Sequence, residues 1–303
     1  MSKAVRFSEY GGPEVLELVE VDDASPGQGK VRVRVKTAGV NPADIKVRSG
    51  RMEGFPTHFP QGLGNDFAGV IEEIGDGVTA LAAGDEVLGF TAFRAYAEYV
   101  TVPERQVTHK PEALSWDVAG SLSVAGQTAR EGLDRLGVGK DDTLLVHAAA
   151  GGVGGVLVQL AAREGATVVG TASERNHDYL RDLGAIPVSY GPGLVERVRA
   201  AAPGGVDKVF DAAGGDAVNA SLELVRDAGD ILTIADMAAP ERYGVETFSM
   251  SPNADRLAEL ADLAASGALR VPVWKAVPLA DVREAHEASE RGHLRGKIVL
   301  TVS

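Results

Sequence analysis

The sequence predicts an α/β protein in which a β-rich segment precedes a doubly wound parallel sheet. Residues 143–165 read as strand, glycine-rich turn and helix, and strand and helix patterns then alternate as far as Ala235. Such alternation is typical of a parallel sheet covered by helices on both faces. Residues 1–115 instead carry short runs of period 2, which indicate half-buried antiparallel strands.

The central stretch has the context that a dinucleotide-binding fingerprint requires. The apolar, β-rich run 143–147 reads as a strand buried on both faces of a parallel sheet. Residues 148–155 are small, and an amphipathic helix follows that ends at Gly165. A second strand is predicted over residues 166–171. This order predicts a Rossmann domain.

Three glycines of the turn have expected roles toward a dinucleotide. Gly151 would make the tight turn, Gly152 would let the backbone approach a pyrophosphate, and Gly154 would let the helix pack on the strand. The N–H groups and dipole of the new helix would face the phosphates. Ala149 stands where the first glycine of the usual pattern would be, so the alternative is a glycine-rich turn of another βαβ unit.

Composition narrows the class of protein. A chain of 303 residues is long enough for two domains. Its net charge of −13 argues against nucleic acid or an anionic membrane as a main partner. The absence of cysteine excludes disulfides, thiolate catalysis and Cys-ligated zinc. No signal-peptide pattern is present and no apolar run approaches about 18 residues, so we expect a soluble, cytoplasmic protein.

Period-2 runs separated by Gly and Pro turn signals place the strands of the first part. These strands are predicted over residues 30–36, 70–74, 87–90 and 96–102. From Ser115 the period changes, and Trp116 to Leu136 reads as a helix with a break near Gly126.

Beyond the second strand of the Rossmann domain the elements alternate regularly. Helices are predicted over residues 176–183, 194–201, 217–225, 254–265 and 281–291. Strands are predicted over residues 186–189, 206–211, 231–235, 244–250 and 297–301. The run 244–250 would be the outer strand of the Rossmann sheet, where Val245 and Phe248 give it apolar content. Because an exposed edge strand is a liability that pairing removes, we expect a homodimer through this strand.

With these motifs the chain resembles a zinc-independent medium-chain dehydrogenase/reductase of the quinone oxidoreductase type. The resemblance covers nearly the whole length. It implies a GroES-like domain formed by residues 1–115 and 268–303, a Rossmann NADP-binding domain at 116–267, and an active site in the cleft between them. The motifs that carry it are residues 39–44 with Arg48 and Gly50, then 64–69, 127–129, 147–154 and 295–300.

The resemblance implies catalytic roles for Asn41, Asp44 and Lys46. Many quinone reductases of this type carry a tyrosine where Lys46 stands, which leaves the substrate open. Asp44 has an alternative reading as a cap of the helical turn after Pro42, and Lys46 has one as a solvated surface residue.

The end of the second Rossmann strand predicts NADPH over NADH. NAD enzymes place an acid there to bind the ribose 2′-OH, whereas this chain has Ala172, followed by Ser173 and, after Glu174, Arg175. A hydroxyl and a guanidinium suit a 2′-phosphate. By resemblance, Tyr190 helps to hold that phosphate. The alternative is that Ser173 and Arg175 cap the next helix.

The remaining cofactor contacts follow from the fingerprint and from the resemblance. Plain structural loops are the alternative reading for any one of them. The set comprises Thr128, Ala150, Gly151, Gly152, Val153, Gly154, Ala212, Ile234 and Lys297.

No catalytic metal is expected. Asn41 and Asn65 stand where zinc-dependent relatives have ligands, and amides are not zinc ligands. The six histidines show no paired spacing, and His147 is expected to be a packing or hydrogen-bonding residue.

The first hypothesis is an NADPH-dependent reductase that transfers hydride to a quinone or an α,β-unsaturated carbonyl without metal. The alternatives are an enoyl-thioester reductase and a non-catalytic NADPH-binding protein. The expected partners are a small-molecule carbonyl or quinone substrate and a second copy of the chain, with neither nucleic acid nor a membrane.

Overall fold

The computed structural model describes residues 1–23, 25–52, 55 and 57–302. These residues form two compact units, Met1–Gln127 with Pro252–Ser303 and Thr128–Ser251. The division falls inside the helix Trp116–Leu136. The predicted domain boundaries at residues 116 and 267 stay a prediction.

The strands of the two units, as far as the structure describes them, are numbered β1 to β16. In chain order the described strands are β1 (Ser2–Phe7), β2 (Glu17–Val21), β3 (Lys30–Val40), β4 (Gln61–Gly62), β5 (Asp66–Ile74), β6 (Glu86–Phe90), β7 (Tyr99–Pro103), β8 (Val107–His109), β9 (Thr143–His147), β10 (Thr167–Ala172), β11 (Ala185–Ser189), β12 (Lys208–Asp211), β13 (Ile231–Thr233), β14 (Glu246–Thr247), β15 (Val273–Pro278) and β16 (Lys297–Thr301).

Helices follow the same order along the chain. The described α-helices are α1 (Pro42–Arg48), α2 (Trp116–Leu136), α3 (Gly152–Arg163), α4 (His177–Asp182), α5 (Leu194–Ala201), α6 (Asp216–Leu222), α7 (Ala239–Tyr243), α8 (Ala254–Ala265) and α9 (Val282–Arg291). Single turns of 3-10 helix lie at Pro13–Val15, Glu104–Gln106, Glu174–Asn176, Ala228–Asp230 and Leu279–Asp281. None of the helices in the described ranges is long and apolar enough to cross a membrane.

The first unit is built on β3, which carries the predicted period-2 pattern. Val31, Val33 and Val35 are buried while the residues between them are more exposed. A seven-stranded sheet runs β15-β16-β3-β5-β6-β8, and β7 also pairs with β3. A smaller sheet has the order β2-β1-β4. Because β16 pairs antiparallel with β3, the C-terminal residues return to the first unit, as the resemblance implied.

The second unit contains a six-stranded sheet with the order β11-β10-β9-β12-β13-β14. Its strand pairings are all parallel. Numbered from β9, this is the 3-2-1-4-5-6 order of a doubly wound sheet. The predicted Rossmann domain is therefore confirmed, and the fingerprint turn follows the strand at which the order reverses.

The predicted break in α2 is wrong, since the helix is continuous from Trp116 to Leu136. A Cβ added at Gly126 would lie 3.0 Å from Leu260 Cδ1 of α8. This glycine therefore provides close packing between two helices and does not end one.

The predicted outer strand over residues 244–250 is largely wrong in length. Only β14, Glu246–Thr247, pairs with β13, because α7 occupies the preceding residues and ends at Gly244 in the left-handed region. Val245 and Phe248 are buried within the chain itself. The apolar side chains that suggested a dimer thus already have cover, and β14 offers mainly its backbone edge.

Candidate cofactor and active sites

The fingerprint turn of the second unit is closed by backbone geometry. Ala148 adopts a left-handed conformation with φ of 53°, and the Gly151 N–H donates to the Ala148 carbonyl at 3.0 Å. Gly151 itself is extended, with φ of −77°. The tight turn was predicted at Gly151, but the residue with positive φ is Ala148.

Gly154 has the close approach that the fingerprint predicted. A Cβ at this position would lie 2.5 Å from the Ala148 carbonyl oxygen and 2.8 Å from Ala149 Cα. Real Cβ atoms essentially never come so near to backbone, so only glycine lets α3 start directly against the turn.

The start of α3 has the features of an anion site. Its first described intrahelical bond runs from the Gly155 N–H to the Gly151 carbonyl, so helix geometry turns the preceding N–H groups out along the axis. The first turn contains no acidic residue. Gly151, Gly152 and Val153 are half-buried, while Ala150 and Gly154 are buried. Backbone donors and the helix dipole therefore favour a phosphate at this end.

The adjacent strands β10 and β11 bring the predicted 2′-phosphate residues to one edge of the sheet. Ala172 is in register with Ser189, so Ser173 and Tyr190 each lie one residue beyond a paired position. Parallel strands lie about 4.8 Å apart, which makes these two residues neighbours. Arg175 is exposed on the following 3-10 turn.

Ser173 does not cap that turn with its side chain. Its hydroxyl oxygen accepts a bond from Asn176 Nδ2 at 3.3 Å. The capping alternative therefore loses support for Ser173, whereas the placement of Arg175 leaves its predicted role open to test.

Asp211 and Thr233 shape the loops that carry the predicted contacts Ala212 and Ile234. The buried Asp211 carboxylate accepts bonds from the N–H groups of Ala213 and Gly214, both at 2.9 Å from Oδ1. The Thr233 hydroxyl donates to Asp211 Oδ2 at 2.6 Å. In the sequence, these two residues can be found because each is a polar residue at the end of a strand, Asp211 in β12 and Thr233 in β13.

Ala212 and Ile234 are half-buried beside these anchored groups, and Thr128 is buried in α2. Carboxyl ends of parallel strands are where open α/β sheets bind ligands. Cofactor binding by these three residues stays a prediction.

His147 is a hydrogen-bonding residue of the core, as predicted. The Ser221 hydroxyl donates to the Ala217 carbonyl, so its oxygen accepts from His147 Nε2 at 2.9 Å. Nδ1 then accepts from the Thr171 hydroxyl at 3.2 Å. Burial lowers the pKa of His147 to about 4, with nearby Asp211 opposing, and the ring is neutral at neutral pH.

In the first unit, Asn41 lies inside a buried polar network. Its side-chain Nδ2 donates to Asp66 Oδ2 at 3.0 Å and to the Gly39 carbonyl at 3.4 Å, and its Oδ1 accepts from Lys297 Nζ. Only 2% of its surface is exposed. Both amide hydrogens of Asn41 are thus used within the protein, and its implied catalytic role stays a prediction.

Asp44 caps α1, which was the alternative reading of this residue. Its Oδ2 accepts from the Asn41 N–H at 2.9 Å and from the Tyr96 hydroxyl at 3.1 Å, while Oδ1 accepts from the Gly64 N–H at 2.8 Å. Complete burial raises the pKa of Asp44 to about 6, and these hydrogen bonds oppose the shift. The geometry indicates that Asp44 holds Asn41 and the first turn of α1 in place.

Lys297, predicted as a cofactor contact, is bonded within the first unit, and its contact with a cofactor stays a prediction. The Nζ atom donates to Asn41 Oδ1 and to the Val40 carbonyl at 3.3 Å, and it lies 3.7 Å from Asp66 Oδ2. Burial lowers the pKa of Lys297, with the Asp66 charge opposing. Its ammonium group is engaged inside the first unit because it neutralises a buried carboxylate.

Lys46 is half-buried on α1, unlike the buried Asn41 and Asp44. Two residues on, the guanidinium of Arg48 is buried and fixes this helix. Arg48 pairs with Glu290 of α9 and donates from Nε to the Gly11 carbonyl at 3.2 Å. α1 is therefore held at its start by Asp44 and at its end by Arg48.

Asn41 and Asn65, which stand where zinc-dependent relatives have ligands, are hydrogen-bonded within the protein. Asn65 Oδ1 accepts from the Phe93 N–H at 3.2 Å, and Asn41 belongs to the network with Asp66. Across the described residues, no three His, Asp or Glu side chains are grouped as metal ligands.

Two sequence profiles match this chain. Residues 27–112 match one described as an alcohol dehydrogenase GroES-like domain. Residues 183–300 match one described as a zinc-binding dehydrogenase. The first confirms the predicted GroES-like fold of the β-rich part.

Curated relatives are similar over nearly the whole chain. It is 33% identical over 96% of its length to a mycocerosic acid synthase-like polyketide synthase of Mycobacterium tuberculosis, and it spans 15% of that protein. It is 32% identical to a quinone oxidoreductase of Salmonella typhimurium, covering 99% of both chains. It is 31% identical over 98% of its length to the chloroplastic NADPH-dependent alkenal/one oxidoreductase of Arabidopsis thaliana, of which it covers 79%.

Solved structures show the same architecture. The quinone oxidoreductase of Coxiella burnetii superposes with a TM-score of 0.91 at 33% identity, over 100% of this chain and 99% of that one. An Escherichia coli quinone oxidoreductase complexed with NADPH gives a TM-score of 0.88 at 29% identity, over 99% of each chain. The chain therefore belongs to the medium-chain dehydrogenase/reductase family, in its quinone oxidoreductase type.

Proposed function

We propose that this chain is an NADPH-dependent oxidoreductase that transfers hydride to a quinone or an α,β-unsaturated carbonyl compound. One observation carries the proposal. Ser173 and Tyr190 each follow a paired position at the ends of β10 and β11, Arg175 lies two residues after Ser173, and position 172 is alanine and not an acid. This edge suits a 2′-phosphate and lacks the carboxylate that would hold a free ribose 2′-OH.

The relatives support the same cofactor and substrate class. The Arabidopsis protein is named for NADPH and for alkenals and alkenones, and the Escherichia coli structure is described as a complex with NADPH. Three of the proteins described above, from Salmonella, Coxiella and Escherichia coli, are named quinone oxidoreductases. The proposal places this chain in that group of activities.

NADPH, when bound, supplies the hydride, and the protein binds and orients it. The N–H groups at residues 152–154 would hold the pyrophosphate at the start of α3. The loops at Ala212 and Ile234, fixed by the Asp211 and Thr233 bonds, would support the nicotinamide end. These positions were predicted and are proposed here as cofactor contacts.

We propose that the reaction proceeds without a metal. Although one matching profile is described as zinc-binding, this chain has no cysteine, and Asn41 and Asn65 have their amides engaged in protein bonds. Negative charge that develops on the acceptor oxygen is then stabilised by hydrogen-bond donors. Lys46, the half-buried member of the predicted catalytic set, is proposed as one such donor.

The polyketide synthase relatives favour one alternative. Two mycobacterial synthases contain a region 31–33% identical to this chain, although the chain spans only 15% of either protein. An enoyl-thioester is itself an α,β-unsaturated carbonyl compound, so the same site chemistry would apply to it.

We also propose a homodimer formed through β14. This strand is the last of its sheet, so one edge of its backbone has no neighbour within the described sheet. Met237 lies beside it, with its sulfur 3.6 Å from the Thr247 hydroxyl, and is 50% exposed. Pairing with a second copy would cover both.

The function is tested by NADPH oxidation with a panel of quinones, enones and enoyl-thioesters. We expect turnover of quinones or enones. Turnover of enoyl-thioesters alone would select the alternative, and tight NADPH binding without any turnover would indicate a non-catalytic binder.

The rates of NADPH oxidation should be unchanged after dialysis against EDTA. Loss of activity that zinc restores would contradict the metal-free mechanism.

The cofactor assignment is tested at Arg175. Arg175→Ala should cost about 1.5–3 kcal/mol of NADPH binding, or about 10- to 100-fold in Kd, because a charge-assisted bond to the 2′-phosphate is lost. NADH binding should barely change. Fluorescence titration measures both constants, and equal affinity of the unaltered protein for the two cofactors would reject the assignment.

Asn41 and Lys46 are distinguished by paired variants. Asn41→Ala should lower the free energy of unfolding by about 1–3 kcal/mol, because Lys297 and Asp66 each lose a buried partner. Lys46→Met should keep stability and NADPH affinity but lower kcat by about 10²–10³. Urea denaturation and steady-state kinetics measure these effects. A stable Asn41→Ala protein with low kcat beside a normal Lys46→Met enzyme would return the donor role to Asn41.

The assembly is tested by light scattering at micromolar concentration. We expect the mass of a dimer, and Met237→Asp should shift it toward the monomer because a charge would be placed at the edge of β14. A monomer of the unaltered protein at this concentration would overturn the proposal.

A further inference from the structure

Four consecutive carbonyl groups, those of residues 189–192, converge on one guanidinium group. Arg197 of α5 donates from Nε to the Ser189 carbonyl at 3.0 Å and from Nη1 to the Pro192 carbonyl at 2.8 Å. Its Nη2 donates to the carbonyls of Tyr190 at 3.3 Å and Gly191 at 3.1 Å. The side chain therefore binds the whole backbone turn that follows β11.

These bonds use most of the hydrogen-bonding capacity of Arg197. A guanidinium has five N–H donors in a rigid fork, and the four bonds to carbonyls occupy four of them. The group is thus committed to the protein backbone. Any effect of Arg197 on a ligand must pass mainly through the turn that it holds.

Apart from Arg197, the Leu194 N–H holds the turn by donating to the Gly191 carbonyl at 3.1 Å. Gly191 has φ of 91° and Gly193 has φ of 77°, and a Cβ at Gly191 would meet no atom within 4 Å. The Tyr190 side chain is 53% exposed, so packing does little to fix it. At the base of the turn, the Ser189 hydroxyl oxygen lies 3.3 Å from His177 Nε2.

We propose that Arg197 is a positioning residue for Tyr190 and thereby a determinant of NADPH selectivity. The inference rests on the proposed NADPH-dependent function, in which Tyr190 helps to bind the 2′-phosphate. Arg197 collects the carbonyls of residues 189–192, and this sets the place from which Tyr190 extends beside Ser173. NADH has no 2′-phosphate, so its binding does not depend on this arrangement.

Arg197→Lys separates positioning from simple charge attraction. Lysine keeps the positive charge but is a point donor that cannot span four carbonyls in one plane. Positioning predicts that the Kd for NADPH rises about 3- to 10-fold, the effect of a weakened hydrogen bond to a charged group. The Kd for NADH and the kcat at saturating NADPH should stay within about twofold. An unchanged Kd for NADPH would overturn the proposal.

A double-mutant cycle tests the route through Tyr190. Tyr190→Ala should weaken NADPH binding by itself, and Arg197→Lys should add nothing further in that background. Additive losses would mean that Arg197 acts independently of Tyr190. Arg199→Ala is the matched control, because Arg199 lies on the same helix but donates to the Glu223 carbonyl. It should leave both cofactor affinities unchanged.

Gly191→Ala perturbs the same turn with Arg197 intact. The positive φ of Gly191 strains any other residue, while the open space around it spares the core. A selective loss of NADPH affinity in this variant supports the proposal even where Arg197→Lys folds poorly, and an unchanged ratio of the two affinities contradicts it. If the unaltered protein does not prefer NADPH, the proposed cofactor fails. If it does and all turn variants keep that preference, only the positioning inference fails.

Discussion

The carboxylate of Asp66 is the constraint on which the first unit depends. It accepts bonds from Asn41 Nδ2 and from the Val124 N–H at 2.5 Å, and it lies 3.7 Å from the ammonium of Lys297. The carboxylate therefore joins the start of β5 to α2, to the loop before α1 and to β16. Burying a charge is costly unless it is paired with an opposite charge, so removal of the charged partner Lys297 is expected to cost about 3–5 kcal/mol.

Gly39 and Gly120 of the first unit have no room for a side chain. A Cβ at Gly39 would lie 2.6 Å from Asp66 Oδ2 and 2.9 Å from the Gly120 carbonyl oxygen. A Cβ at Gly120 would lie 2.1 Å from the Thr37 hydroxyl oxygen. Gly39 leaves room for the polar network and Gly120 leaves room for Thr37, so the absence of a side chain is a packing requirement at both positions.

The second unit uses another device to present its loops. Polar side chains bind the backbone of loops at the carboxyl ends of parallel strands. Asp211, at the end of β12, accepts from the N–H groups of residues 213 and 214, and Arg197 of α5 donates to the carbonyls of residues 189–192 after β11. These bonds hold the backbone of both loops. A shared fold can host different activities, because the side chains on its loops determine the chemistry of the site.

Local sequence determined the elements of this protein. Apolar runs with turn signals at both ends placed β9, α5, α8 and β16 at their observed bounds, because periodicity and caps are properties of neighbouring residues. The fingerprint turn 148–155 and residues 173–175 after β10 also indicated a dinucleotide site, because each is a pattern of neighbouring residues. The error at Gly126 arose because a glycine that permits helix packing looks, in sequence, like one that breaks a helix.

Only the tertiary structure decided which polar residues were already engaged. Asn41 and Lys297 are more than 250 positions apart along the sequence, yet they bind each other, a contact that no local pattern in the sequence indicates. The bonds of Arg197 to residues 189–192 were equally invisible, since no residue pattern specifies where a long side chain turns. Element type follows from short-range periodicity, whereas the partner of a buried polar group depends on chain segments that meet only after folding.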